Sequence, residues 1–308
     1  MSGSAGASRL FRFLLILVVA AALPACSLKT MAVKTVASTL SESGDVFSRD
    51  EDPELVREAV PFALKLYESL LDSIPNHGPL LVATCSGFTQ YAYAFVETDA
   101  LVLGDERHAE AQALRDRALK LYLRGRGYCL RALEVRWKGI GERLLADPVP
   151  ALARAERKDV EMLYWTAASW GAAISLGLDN PELAVDFPVV RALADRALAL
   201  DETWSKGAIH ELMISLDSLP AALGGDPARA RQHFDRAIAL QKGQAPGPYV
   251  ALATGVSVPE RNRAEFETLM KHALDVDPEA DPSARLATLV TQRRARALLD
   301  QIDARFVQ

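Results

Sequence analysis

From Asp52 onward, apolar residues return every three or four positions along the chain, and no stretch alternates convincingly with a period of two. Val60, Leu64, Tyr67 and Leu71 fall on one face of a predicted helix, and Leu114, Ala118, Leu121 and Tyr122 fall on another. The segments IPNHG, GLDNP and LGGDP break the pattern with Gly, Asn and Pro, which stop one helix and start the next. Pro53, Pro148, Pro181, Pro227 and Pro282 lie near predicted helix starts, where a missing N–H costs nothing. Asp52-Pro53-Glu54 combines an N-cap, a first-turn proline and an acid beside the positive end of the helix dipole. The pattern predicts an all-α chain of about ten helices.

Two segments carry the second-helix pattern of a tetratricopeptide unit, in which small and larger apolar residues alternate and a proline follows. Ala230, Phe234 and Ala237 fit its first three positions, and Phe266, Met270, Ala273 and Pro278 fit all of it, 36 residues on from Ala237 to Ala273. Ala63, Tyr67, Leu70 and Pro75 match loosely, and Leu193 with Ala197 more loosely still. Small alanines let paired helices approach closely, and the larger residue fills the hole beside them. The expected fold is an irregular array of antiparallel helical hairpins, tetratricopeptide-like, with a shared core. The pattern is poorly kept over residues 100–220, so regular repeats are not expected there.

The first residues follow different rules. Arg9 and Arg12 precede an apolar run from Phe13 to Leu23, which closes on Pro24, Ala25 and Cys26. A positive n-region, a short h-region and a small-residue end form the plan of a secretory signal. Eleven apolar residues are too few for a spanning helix, which needs about 20. Leu23-Pro24-Ala25-Cys26 resembles a bacterial lipobox, so residues 1–25 read as a lipoprotein signal peptide and Cys26 as the acylated first residue of the exported chain; an ordinary signal peptide is the alternative. Residues 26–50, rich in Ser and Thr with a weak stripe through Met31, Val33, Val36 and Leu40, read as a lipidated tether with a short helix. Residues 51–308 then form a single helical domain.

Removing Arg9 and Arg12 takes the net charge from -5 to -7. An acidic chain without a basic stripe gives no electrostatic case for nucleic acid. Cys85 and Cys129, 44 residues apart, both sit in apolar helical runs, and the reading favours two buried thiols over a disulfide.

No catalytic constellation emerges. Cys85-Ser86-Gly87 lacks the leading glycine of a nucleophile elbow. Gly125-Arg126-Gly127 and Gly139-Ile140-Gly141 lack the third glycine of a dinucleotide loop and read as turns or kinks. The five histidines are scattered, with no His-Glu-x-x-His pair, so neither an enzyme nor a metal or cofactor site is expected. Most arginines of the run Gln292-Arg293-Arg294-Ala295-Arg296 are expected on a solvated face opposite Leu286, Leu289 and Leu298. Aromatic residues concentrate at Phe88, Tyr91, Tyr93 and Phe95, at Tyr164, Trp165 and Trp170, and at Tyr249 in a Pro-Gly-Pro-Tyr turn. Tyr and Trp suit the lining of a groove or interface, although core packing accounts for each taken singly.

The stretches DPELVREAVPFALKLYESLLDSIPNHGPLLVATCSGFTQYAYAFVE, LYWTAASWGAAISL and HFDRAIALQKGQAPGPYVALATGVSVPERNRAEFETLMKHALDVDP resemble the T component of tripartite ATP-independent periplasmic (TRAP) transporters. The resemblance runs in order from about Leu28 to Phe306 and ends on RLATLVTQRRARALLDQIDARF. It implies a periplasm-facing lipoprotein that forms a homotrimer, docks the transporter's periplasmic solute-binding protein and carries a tunnel for a small hydrophobic or carboxylate ligand. Cys26 matches the lipobox by residue and would hold the chain at the lipid bilayer; Tyr91, Tyr164, Trp165, Trp170, Tyr249 and Arg261 are the candidates for a ligand or partner surface. Ser27 in place of an aspartate leans the anchor towards the outer membrane. A helical scaffold lipoprotein for envelope assembly, without a small ligand, is the other reading.

Overall fold

The computed structural model describes residues 33–39, 44–104, 106–178 and 180–306. The signal run, the lipobox and Cys26 lie outside these residues, as do Met31 and Leu40 of the tether stripe. The described chain is helical throughout, without strands. Ten longer or site-forming helices carry the architecture: α1 (Pro53–Ser73), α2 (Gly78–Tyr91), α3 (His108–Arg136), α4 (Val160–Leu176), α5 (Phe187–Leu200), α6 (Ala208–Asp217), α7 (Pro227–Gln241), α8 (Gly247–Leu252), α9 (Arg263–Asp275) and α10 (Arg285–Asp300). Further one- and two-turn pieces raise the helix count above the expected ten.

The local signals act as the sequence predicts. Asp52 accepts hydrogen bonds from the N–H groups of Glu54 and Leu55, Asp226 does the same for Ala228 and Arg229, and Asn180 caps Glu182. Pro53, Pro148, Pro181, Pro227 and Pro282 each open a helical element. His77 caps α2 through its ring nitrogen on the Leu80 N–H, 3.2 Å away.

Helices pack chiefly on their chain neighbours, α2 on α3, α3 on α4, α4 on α5 and α6 on α7. Three clusters of buried side chains result. One runs from Leu80 and Leu81 through Leu133, Leu163 and Leu193 to Ile209. A second, C-terminal, holds Ala230, Ala237, Phe266, Met270 and Ala273, the residues of the two tetratricopeptide-like segments, all wholly buried. The third joins Val56, Leu64, Phe88, Phe95, Ala118 and Tyr122. α10 returns to the start of the array, where it packs on Thr98–Leu103 and α1. Residues 33–39 form a short helix; its Ala37 is buried in the first cluster and its Ser38 hydroxyl meets the His77 ring at 3.4 Å.

Three expectations are corrected. Cys85 and Cys129 form a disulfide, with Cα atoms 5.4 Å apart. The reason is the closeness of α2 and α3: a Cβ on Gly125 would lie 3.1 Å from the Cys85 carbonyl oxygen and 3.1 Å from the Thr89 hydroxyl. Gly125 and Gly127 are accordingly helix-interior residues of α3, not a turn, whereas Gly139 is a true turn at φ 74°. Within the α10 arginine run, Arg294 is drawn inward and only Arg296 is fully exposed.

Candidate functional site

A cavity of about 1680 Å³ lies where the three clusters meet, touching Leu64 and Phe95 of the third, Met162 and Ile174 of the first, and Val250 and Leu298 of the second. Its walls come from α1, α2, α4, α6, α8 and α10. Two helices enter it by departing from α geometry. α2 continues through a π turn, Ala92–Glu97, and α8 through another, Ala253–Ser257. Both π turns line the cavity, through Tyr93, Phe95 and Glu97 on one side and Thr254 and Gly255 on the other. A π turn widens the helix by one residue, re-aims the side chains around it and recurs at functional sites.

The first π turn builds a polar cluster at the wall. The Tyr122 hydroxyl donates to Glu97 Oε2 at 2.6 Å, while Arg294 donates to Glu97 Oε1 and to the Thr98 hydroxyl, each at 3.0 Å. Thr98 in turn donates to the Tyr93 carbonyl at 2.8 Å, and the Arg294 guanidinium lies over the Tyr93 ring, 4.2 Å from its centroid. Burial pulls the Arg294 guanidinium down, but Tyr93, Glu97 and Tyr122 outweigh it and leave its pKa raised. Burial and the charge on Glu97 push the Tyr122 phenol well above its ordinary value. The cation is thus paired and hydrogen-bonded through Nη1 and Nη2, while its Nε finds no hydrogen-bond partner among the described residues.

Glu211 of α6 is different. It lines the cavity and makes no hydrogen bond or ion pair among the described residues. Burial pushes its carboxyl up to about 7 from an ordinary 4.5. Tyr164 and Tyr93 sit within its field, and both phenols are raised, by burial first and by Glu211 among the remaining causes. Glu161 of α4, also on the wall and without a partner among the described residues, is raised by burial as well. Tyr93 is 37 % exposed, yet burial dominates its titration, so the surface it shows is cavity surface.

A carboxyl whose folded pKa lies above its unfolded one favours the protonated fold. The stability it leaves intact is fully present below pH about 4.5 and is lost as pH rises through 7. A shift of this size is worth about 3 kcal/mol. Replacing Glu211 by Gln is therefore expected to raise stability by up to about 3 kcal/mol at pH 8 and by under about 1 kcal/mol at pH 5. Urea denaturation at the two pH values checks this, and an equal difference at both would contradict it.

Of the residues singled out in the sequence, Tyr91, Tyr164 and Trp165 line the large cavity. Tyr164 packs edge-on to Trp165 with centroids 5.0 Å apart and lies 4.7 Å from Trp204. Trp170 does not reach the cavity; it is 3 % exposed and packed in the first cluster, with the Arg126 guanidinium 5.0 Å from its ring. Tyr249 lines a second, smaller cavity of about 570 Å³, between Phe234 and His272 at 5.6 and 5.5 Å. Arg261 is exposed in a turn at φ 55° and borders neither cavity. Glu211, Glu161, Glu97 and Arg294 are cavity residues that sequence reasoning missed. A signal for Glu211 was present: Glu211, Ser215 and Ser218 form a polar i, i+4, i+7 stripe along α6 and its C-cap, and all three line the cavity.

Among the described residues no helix is long and apolar enough to cross a membrane, and no group of three or more His, Cys, Asp or Glu side chains is placed to hold a metal. Comparison with known proteins adds two findings. An uncharacterized protein of Treponema pallidum (strain Nichols) is 29% identical over 292 residues, spanning 89% of this chain and 90% of its own. The family model for the TRAP transporter T-component matches residues 49–306, nearly the whole helical array. The chain belongs to the T-component family of TRAP transporters.

Proposed function

We propose that the chain is a lipid-anchored accessory of a TRAP solute transporter, facing the periplasm, which docks the transporter's solute-binding protein and holds or relays a small organic ligand. The observation that carries the ligand-holding part is the cavity where all three cores meet, large enough for a small organic molecule and lined by aromatic and aliphatic side chains interspersed with polar and charged ones. Membership of a transporter accessory family, not an enzyme family, supports the non-catalytic reading. The Cys85–Cys129 disulfide suits an oxidising compartment such as the periplasm. The lipobox ending at Cys26 supports a lipid tether, and two or more acyl chains anchor a protein stably without a spanning helix. Assembly as a homotrimer belongs to the same reading.

Docking is tested with the full chain and the solute-binding protein encoded beside it. Co-purification and a dissociation constant in the micromolar range or below are expected. No binding at tens of micromolar of each partner would remove docking from the proposal, leaving the ligand-holding part to be judged separately.

A further inference from the structure

We propose that the cavity receives an amphipathic organic amine, its ammonium head against Glu211 and the ring pair Tyr164–Trp165, its apolar body along the aliphatic wall. This rests on the ligand-holding reading above and names the chemistry of the ligand.

Three of the four cations of the lining have a carboxylate partner. Arg294 pairs with Glu97 at 3.0 Å, Arg136 with Asp159 at 2.8 Å and Lys158 with Glu156 at 2.5 Å, while Arg305 donates to Gln301 at 3.1 Å. The carboxyl of Glu211 stands without hydrogen bond or ion pair among the described residues, as does that of Glu161, which is exposed at the cavity's edge. An enclosed carboxylate with no partner is costly, and an entering cation removes that cost by forming the missing pair. A carboxylate ligand would instead meet two further acids and a guanidinium already engaged. A neutral ligand would pair with neither.

The rings around Glu211 favour the same class. Tyr164 and Tyr93 both lie within its electrostatic reach, and an ammonium is drawn to the negative face of Tyr and Trp rings. Arg294 occupies one face of Tyr93, whereas Tyr164 and Trp165, edge to face with each other, line the cavity side by side. Beyond them the wall is apolar, through Leu212, Val250, Ala251 and Leu298.

Gly247, the first residue of α8, is packed directly against the Glu211 carboxyl. A Cβ on Gly247 would overlap both carboxyl oxygens and the carboxyl carbon of Glu211. Gly247 has no positive φ, so its lack of a side chain answers to this contact and not to backbone conformation. Every other residue type there would push Glu211 out of place.

Calorimetric titration of the full chain at pH 8 with decylamine and decanoate below their micellar concentrations, and with decanol below its solubility limit, tests the assignment. Decylamine is expected to bind at least tenfold more tightly than either of the others. Glu211→Gln is expected to abolish the preference of amine over alkanol, Glu211→Asp to keep part of it, and Gly247→Val to weaken it as Gln does. The Asp variant keeps the test decisive even where one substitution harms folding. Decanoate binding as tightly as decylamine, or an amine affinity untouched by Glu211→Gln, would overturn the amine while leaving a ligand-holding cavity intact. Absence of binding by all three probes would overturn both.

Discussion

Replacing Asp217 by Ala is expected to cost about 3 kcal/mol of stability, at the lower end of the 3–5 kcal/mol range for breaking a buried ion pair. Asp217 closes α6, is wholly buried and accepts from Arg191 of α5 at 2.5 Å and from Arg229 of α7 at 2.9 and 3.1 Å. Three successive helices are therefore joined through one carboxylate. Its removal takes away the shared buried partner of two guanidinium groups, whose remaining carboxylate partners are Asp195 at 3.0 Å and Asp226 at 3.7 Å. Solvent relieves part of that loss, since the Arg191 and Arg229 side chains are 24 % and 42 % exposed. Urea denaturation should show a lowered midpoint with an unchanged slope. Removing both arginines together with Asp217 should cost less than the sum of the single losses, because the buried charge and its partners leave together and only the half-exposed Asp195 and Asp226 lose a partner. A loss below about 1 kcal/mol for Asp217→Ala would show that packing alone holds the three helices.

The double variant Cys85→Ala, Cys129→Ala is expected to lose about 3–4 kcal/mol. The bond closes a loop between residues 44 apart, and the chain-entropy argument gives about 4 kcal/mol for a loop of that length. For a chain of this size the loss corresponds to a fall in Tm of roughly 10 °C. Scanning calorimetry of the wild-type chain with and without reductant, beside the double variant, checks it. Equal Tm values for the oxidised chain and the double variant would mean that the close approach at Gly125 alone secures α2 on α3.

What could be read from the sequence was local. Helix class, the capping by Asp52 and the five opening prolines depend on residues within one turn of each other, so they are visible without a fold. The alanines at 230, 237 and 273 announced close helix packing because smallness has one main use on a helix face. Features that depend on which helix meets which were hidden. Cys85 and Cys129 each looked like a buried thiol because nothing nearby in sequence reveals that α2 and α3 touch at Gly125. Arg294 looked solvated because its partner Glu97 lies at the other end of the chain, reached only when α10 returns to the start of the array.

The candidate site divides along the same line. Tyr91, Tyr164 and Trp165 were legible as aromatic concentrations and do line the cavity, while Trp170 belongs to the core and Tyr249 to a smaller hollow. Hydrophobicity alone cannot separate these cases, since a ring facing a cavity and a ring facing the core obey the same periodicity. The polar residues of the wall carry the distinction. Glu211, Ser215 and Ser218 set a polar stripe along α6 and its C-cap at helical spacing, and that stripe lines the cavity.

The two π turns carry a consequence for how related proteins diverge. Each holds one residue more than an α turn at the point where its helix meets the cavity, and each residue added to or taken from a helix rotates everything beyond it by about 100°. Losing one residue from Ala92–Glu97 would swing Glu97 and Thr98 away from Arg294 and present a different set of side chains to the interior. The register of these turns is thus a dial for what the interior accepts, and a single inserted or deleted codon could reset it in one step where substitution would need several.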